Sequence, residues 1–168
     1  MIRKLAVTLV AATALLVGSA VDASASAGGS GLTPAQKMSL QKRVDEVLAA
    51  IPGGHQVSAT EIRYNGLTVT FDPSYSVNTK LAVAALAPSD IICTGGWFCI
   101  IVRGVTFSFY KCQYWDLSNW WGDAPFKNNQ SSGTVTRFYD DKWVEKWTST
   151  AYQDGTVNVT PFWHMKVC

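Results

Sequence analysis

Cys93-Thr-Gly-Gly-Trp-Phe-Cys-Ile-Ile-Val102, followed after a short break by Thr106-Phe-Ser-Phe-Tyr110, decides how the chain is to be read. Both runs are rich in β-branched and aromatic residues and are separated by turn residues, which is the texture of strands packed in a sheet. The same texture recurs further on. Strands are predicted over Phe98 to Val102, Thr106 to Tyr110, Thr134 to Tyr139, Lys146 to Tyr152 and Thr156 to Thr160, with Asp154-Gly155 turning the last pair as a hairpin. Asp116 to Ser132, containing Trp120-Trp-Gly-Asp123 and Lys127-Asn-Asn-Gln-Ser-Ser132, reads as a long loop between them.

All four cysteines and all seven tryptophans fall between Cys93 and Cys168, and the chain stops on a cysteine. A terminal cysteine staples a chain end, so residues 91–168 are expected to form a small disulfide-stabilised β domain clad in aromatic rings. Cys93 and Cys99 are separated by more residues than zinc knuckles use, so oxidation is favoured over metal ligation. Four cysteines allow three pairings, and sequence alone does not choose among them. The expected pairing joins Cys93 to Cys99 in a short local loop and Cys112 to Cys168 across the domain.

The amino terminus supplies the compartment that such oxidation requires. Arg3 and Lys4 precede an apolar run from Leu5 to Val17, and Ala23-Ser-Ala-Ser-Ala27 offers small-residue cleavage sites, so residues 1–27 read as a secretory signal peptide. Gly18, Ser19 and Asp22 interrupt the run before it reaches membrane-spanning length. Removing Arg3, Lys4 and Asp22 with that segment lowers the formal charge from +2 to +1. A near-neutral chain with scattered Lys and Arg has no basic stripe for nucleic acid. The mature protein is expected to be extracellular, free of the membrane and monomeric.

Between the two ends, Thr33-Pro-Ala-Gln36 has the marks of a helix start, with a threonine cap, proline at the first position and glutamine at the third. Leu40, Val44, Val47 and Ile51 recur at helical spacing, and Pro52-Gly-Gly54 stops the helix. Glu61 to Tyr64 and Leu67 to Phe71, joined by Asn65-Gly66, form the strongest hairpin signal in the chain. Residues 33–71 are therefore expected to be a helix plus β-hairpin appendage, docked on the main domain because it is too small to stand alone. Residues 72–90 form a connector.

Chemistry is sparse. His55 falls in a turn after the helix and His164 lies between Trp163 and Met165, so both read as structural or surface residues. Asp116, Asp123, Asp140, Asp141 and Glu145 are the carboxylates of the aromatic half, but no arrangement selects an acid and a nucleophile among them. A non-enzymatic binding protein is the better reading. Trp120 and Trp121 are adjacent, so in an extended segment their rings point to opposite faces and one is exposed as a candidate binding anchor.

Cys93-Thr-Gly-Gly-Trp-Phe-Cys99, then Cys112, Asp116-Leu117, Trp120 and Asn128 to Ser132 resemble the secreted actinobacterial βγ-crystallin-like proteins, including the metalloproteinase inhibitors of peptidase inhibitor family I36. The likeness spans residues 91–168. It implies a mainly β, Greek-key sandwich held by disulfides, and inhibition of a secreted protease by a rigid loop such as Cys93 to Cys99 or Trp120 to Lys127. It also implies a calcium motif, which falls on Lys127 to Ser132 with Asn128 and Ser131 as oxygen donors. Lys127 stands where the family has asparagine or aspartate, and its cation opposes calcium. No resident cofactor is otherwise expected. The alternative function is a carbohydrate or cell-wall binding module, or a toxin-like secreted protein, that uses exposed tryptophans on a glycan.

Overall fold

The computed structural model describes residues 31–75 and 87–168, so the expected signal peptide, residues 1–27, and most of the alanine-rich part of the connector lie outside the described residues. The protein is mainly β, with two antiparallel sheets and one helix near the start. Among the described residues no helix is long and apolar enough to cross a membrane.

Helix α1, Pro34–Ala50, begins as its sequence dictates: the Thr33 hydroxyl accepts from the Gln36 amide while the Gln36 side chain accepts from the Thr33 amide at 2.8 Å. Leu40 and Val44 are buried on its inner face, and Ile51 is buried just past its end. A latch holds the middle of the helix to the sheet. Arg43 donates to the carbonyls of Asp72 and Gly104, each at 2.9 Å, with its guanidinium against the rings of Phe71 and Tyr75.

The larger sheet contains β1 (His55–Ser58), β2 (Glu61–Tyr64), β3 (Leu67–Phe71), β4 (Trp97–Val102), β5 (Val105–Phe109), β7 (Asp123–Asn129) and β10 (Asp154–Asn158), in the order β1-β2-β3-β5-β4-β7-β10. The Asn65-Gly66 hairpin forms in the expected register, Tyr64 opposite Leu67, with Gly66 in the left-handed region at φ 112°. Two features were not expected. His55 lies on strand β1 instead of in a turn, and β3 pairs along its whole length with β5. The hairpin thus continues the main sheet and buries Ile62, Leu67, Val69 and Phe71 in the same core as Phe98 and Phe109. It docks by strand pairing.

The smaller sheet contains β6 (Tyr114–Asp116), β8 (Val135–Tyr139), β9 (Glu145–Thr150) and β11 (His164–Lys166), in the order β6-β11-β8-β9. Its inner face packs on the larger sheet through aromatic pairs: Phe98 with Phe138 at 5.7 Å, Phe126 with Trp147 at 4.8 Å and Phe109 with Trp115 at 5.7 Å between ring centroids. Burial of each such ring stabilises by about 1.5–3 kcal/mol, which is why so short a set of strands holds together.

The predicted hairpin at Asp154-Gly155 does not form. β9 pairs with β8 in one sheet, whereas β10 pairs with β7 in the other, and Asp154 and Gly155 are the first residues of β10 itself. Gly155 lies against the Phe126 ring, where an added Cβ would sit 3.3 Å away and the ring would have to shift slightly. The predicted loop from Asp116 to Ser132 is also corrected, because it contains β7. Ala124, Phe126 and Asn128 alternate inward along that strand, and the inward asparagine disguises the pattern. Both expected disulfides form, Cys93 with Cys99 and Cys112 with Cys168.

Candidate functional site

A turn of 3-10 helix, Pro88–Asp90, delivers the chain onto the outer face of β4 and β7 in extended conformation, with Ile91 at φ −66° and ψ 117°. Ile91 is buried and Ile92, next to it, is 95 % exposed. No other large apolar side chain among the described residues stands so far out of the protein.

The segment that carries Ile92 is fixed on both sides. Before it, Ile91 is packed inside and its amide closes on the Pro88 carbonyl at 3.3 Å, while Lys127 Nζ reaches the Ser89 carbonyl at 3.3 Å. After it, the disulfide ties Cys93 to Cys99 in β4, and Asn129 Nδ2 donates to the Cys93 carbonyl at 2.9 Å. The Gly96 amide returns to the Asn129 carbonyl at 2.7 Å. Lys127 and Asn129 stand opposite Cys99 and Trp97 across the β4–β7 ladder, so one strand braces the segment at two points.

These contacts reassign the polar run that resembles a calcium motif. Asn128 is 1 % exposed. It gives Nδ2 to the Ser149 carbonyl at 2.9 Å and takes the Gln130 amide on Oδ1 at 3.2 Å, so its carbonyl oxygen is turned to the backbone. Gln130 is buried too, donating to the Val167 carbonyl at 2.6 Å and accepting from Thr136 at 2.7 Å. Ser131 and Ser132 are exposed. With the Asn128 amide engaged, no carboxylate in the run and the Lys127 cation beside it, the set Asn128 and Ser131 does not fit calcium, which takes six to eight oxygens.

Trp120 and Trp121 divide into one buried and one exposed ring, as expected of adjacent residues. Trp120 is 6 % exposed and packs on Phe107 at 4.9 Å. Trp121 is 45 % exposed, with the Arg103 guanidinium 4.3 Å from its ring. Beside them a cleft of about 260 Å³ opens between α1 and the larger sheet, lined by Val47, Ile51, Arg43, Arg103 and Trp120. Of the charged side chains at the cleft, Arg43 is engaged with backbone carbonyls.

His55 is exposed on β1, whereas His164 is part of a cluster that its sequence neighbours concealed. Its Nδ1 lies 2.7 Å from Asp116 Oδ1, and its ring stacks under Trp143 at 3.9 Å and 8°. Three of the other carboxylates have separate partners, Asp123 with Asn158 at 3.0 Å, Glu145 with Arg137 at 2.8 Å and Asp140 with Lys146 at 2.9 Å, while Asp141 is exposed. Lys146 and the amides around Asp140 hold its carboxyl down at about 2. These partners do not set a neutral acid beside an ionised one.

Sequence reading missed Ile92, Asn129 and Trp143. An exposed isoleucine beside a buried one has no pattern to announce it, and the partners of Asn129 and Trp143 are distant in sequence. The disulfide spacing was the available signal, since a loop closed by Cys93 and Cys99 fixes whatever flanks it. No family model, curated protein or solved structure matches the chain.

Proposed function

We propose that the protein is an exported, non-enzymatic inhibitor of a secreted protease, which offers Ile91 to Thr94 to the enzyme's cleft as a substrate-like strand. The observation that carries this reading is Ile92, 95 % exposed between a buried neighbour and a disulfide. An aliphatic side chain of this size gains about 1.5–3 kcal/mol when it leaves water, and here the gain is reserved for a partner. Because both flanks are already ordered, docking loses little chain entropy and the contact appears as affinity.

The topology supports inhibition over consumption. A cut beside Ile92 would leave the upstream half paired to the downstream half through the β3–β5 ladder, with Ile91 still packed. The new ends would remain together. On this reading the helix and hairpin are a clamp on the inhibitory segment, and the protein works as an extracellular monomer.

The likeness of Cys93 to Ser132 to the βγ-crystallin-like inhibitors supports the same conclusion and the choice of a metalloprotease as target. Two antiparallel sheets around one aromatic core, with two disulfides, are compatible with a Greek-key sandwich of that kind. Two disulfides also suit an oxidising, extracellular setting.

The test is titration of thermolysin-like and other secreted proteases that prefer large aliphatic side chains. Wild-type protein inhibits, Ile92→Leu retains most of the inhibition, and Ile92→Asp loses it. Absence of inhibition at micromolar protein across such a panel overturns the reading.

A further inference from the structure

We propose that the outer face of the smaller sheet is a carbohydrate-binding platform, with Trp143 as the ring on which a neutral, β-1,4-linked pyranose chain stacks. This face is separate from the Ile92 segment and the proposal does not depend on it.

Residues of β6, β8 and β11 alternate in burial. Trp115, Met165 and Phe138 point inward across β6, β11 and β8, and the residues between them point out. The outward rows are Asp116, His164 and Tyr139, then Tyr114, Lys166 and Arg137. Trp143, in the turn before β9, lies over this face. Its indole is parallel to the His164 ring at 3.9 Å, and meets Tyr114 at 5.6 Å and Tyr139 at 5.8 Å. One side of the indole is therefore covered by His164 and the other is turned to water, which accounts for its 51 % exposure.

The backbone under Trp143 is in the left-handed region, φ 61°. A bulky residue there is strained by about 1–3 kcal/mol, where glycine is at ease. The turn itself does not need an indole: Asp140 Oδ1 closes it by accepting from the amides of Lys142 and Val144. The strain is tolerated with half the ring in solvent, so intramolecular burial is a poor reason for the residue.

The chemistry around the ring selects the occupant. Asp116 and Glu145 are matched by Arg137 and Lys166, so the face carries no excess charge to attract a charged partner. Together with the phenol groups of Tyr114 and Tyr139, these side chains offer both donors and acceptors around a flat apolar centre. A pyranose with equatorial substituents has the complementary form, a C–H face for the indole and a rim of hydroxyls for the polar groups.

The experiment uses the secreted protein with insoluble chitin and cellulose, and indole fluorescence titrated with chitohexaose and cellohexaose. Wild-type protein is depleted by at least one polymer and its fluorescence shifts with the matching hexasaccharide. Trp143→Gly, which fits the left-handed turn and so keeps the fold, weakens binding by about tenfold or more, while Trp121→Ala leaves it unchanged. Retention of Trp143→Gly equal to wild type, or no binding of wild type to either polymer, overturns the proposal. Protease inhibition by the same Trp143→Gly protein stays at the wild-type level, so the two surfaces are scored separately.

Discussion

Asn129 donates its side-chain amide to the carbonyl of Cys93 at 2.9 Å, linking residues 36 positions apart and fixing the chain immediately after Ile92. A neutral hydrogen bond of this kind contributes about 0.5–1.5 kcal/mol net. Asn129→Ala should therefore weaken protease inhibition between about twofold and tenfold while moving the thermal midpoint by only a few degrees. Inhibition constants, read beside hydrogen exchange at the amides of residues 91–94, check it. Unchanged inhibition in a variant whose loop amides exchange faster removes preorganisation as the source of affinity.

The two disulfides should separate stability from function. Cys112 and Cys168 are 56 residues apart, and in the chain-entropy account the crosslink stabilises by about 4 kcal/mol; Cys93 and Cys99 are 6 apart, for about 2 kcal/mol. Replacing Cys112 and Cys168 by serine should lower the denaturation midpoint more, yet replacing Cys93 and Cys99 should damage inhibition more at temperatures where both proteins are folded. Chemical denaturation and inhibition titrations on the two double variants decide it. Equal loss of inhibition would detach the short disulfide from the recognition segment.

Asn128 is expected to matter as a core residue and not as a metal ligand. Asn128→Ala leaves the buried Ser149 carbonyl and the Gln130 amide without their partner, a loss of about 1–3 kcal/mol. Addition of calcium or of a chelator should leave the melting temperature of the wild type where it was. A midpoint that rises with calcium and returns with chelator would restore the metal reading.

What the sequence made legible was the local and the periodic. Helix α1 is written in Thr33, Gln36 and the Leu40, Val44 pair, and the first hairpin in Asn65-Gly66, because caps and tight turns depend on residues a few positions apart. β7 was hidden because its inward positions include Asn128, whose partner Ser149 meets it only once the strands are assembled. β6 and β11, Tyr114–Asp116 and His164–Lys166, are three residues each and too short for any period to show. The pairing of β3 with β5 escaped for a related reason: an amphipathic hairpin looks the same from its sequence whether it docks by its face or by its edge. Of the site, the disulfide loop was visible and the exposed residue just before it, Ile92, was not, since exposure is decided by what else covers the surface.

Trp120 and Trp121, adjacent and identical, should behave oppositely. Trp120 fills the space between Phe107 and Phe138, so Trp120→Ala is expected to cost about 3–5 kcal/mol. Trp121 is half in water and contacts Arg103 by a cation–π approach, worth about 0.5–1 kcal/mol at an exposed site. Equilibrium unfolding of both variants checks this, and a similar cost for the two would mean that the chain between Ser118 and Gly122 is turned differently.

The turn that carries Trp143 should make stability depend on pH at the acid end. Asp140 accepts from Lys146 Nζ at 2.9 Å and from the amides of Val144 and Lys142, and these bonds, that to Lys146 foremost, hold its carboxyl at about 2 against an ordinary 3.8. A carboxyl lowered by folding binds its proton less readily in the folded chain than in the unfolded one. Its contribution is therefore complete above the ordinary carboxylate range and is lost as the pH falls from about 4 towards about 2. Asp140→Asn removes the charge but keeps an oxygen for the turn, so its melting temperature should lie below that of the wild type near neutral pH, with the gap closing through that same acid window. Thermal melts of the pair from neutral pH to about pH 2 test the linkage, and a gap that stays constant across the range would show that the Asp140 charge has no part in holding the turn beneath Trp143.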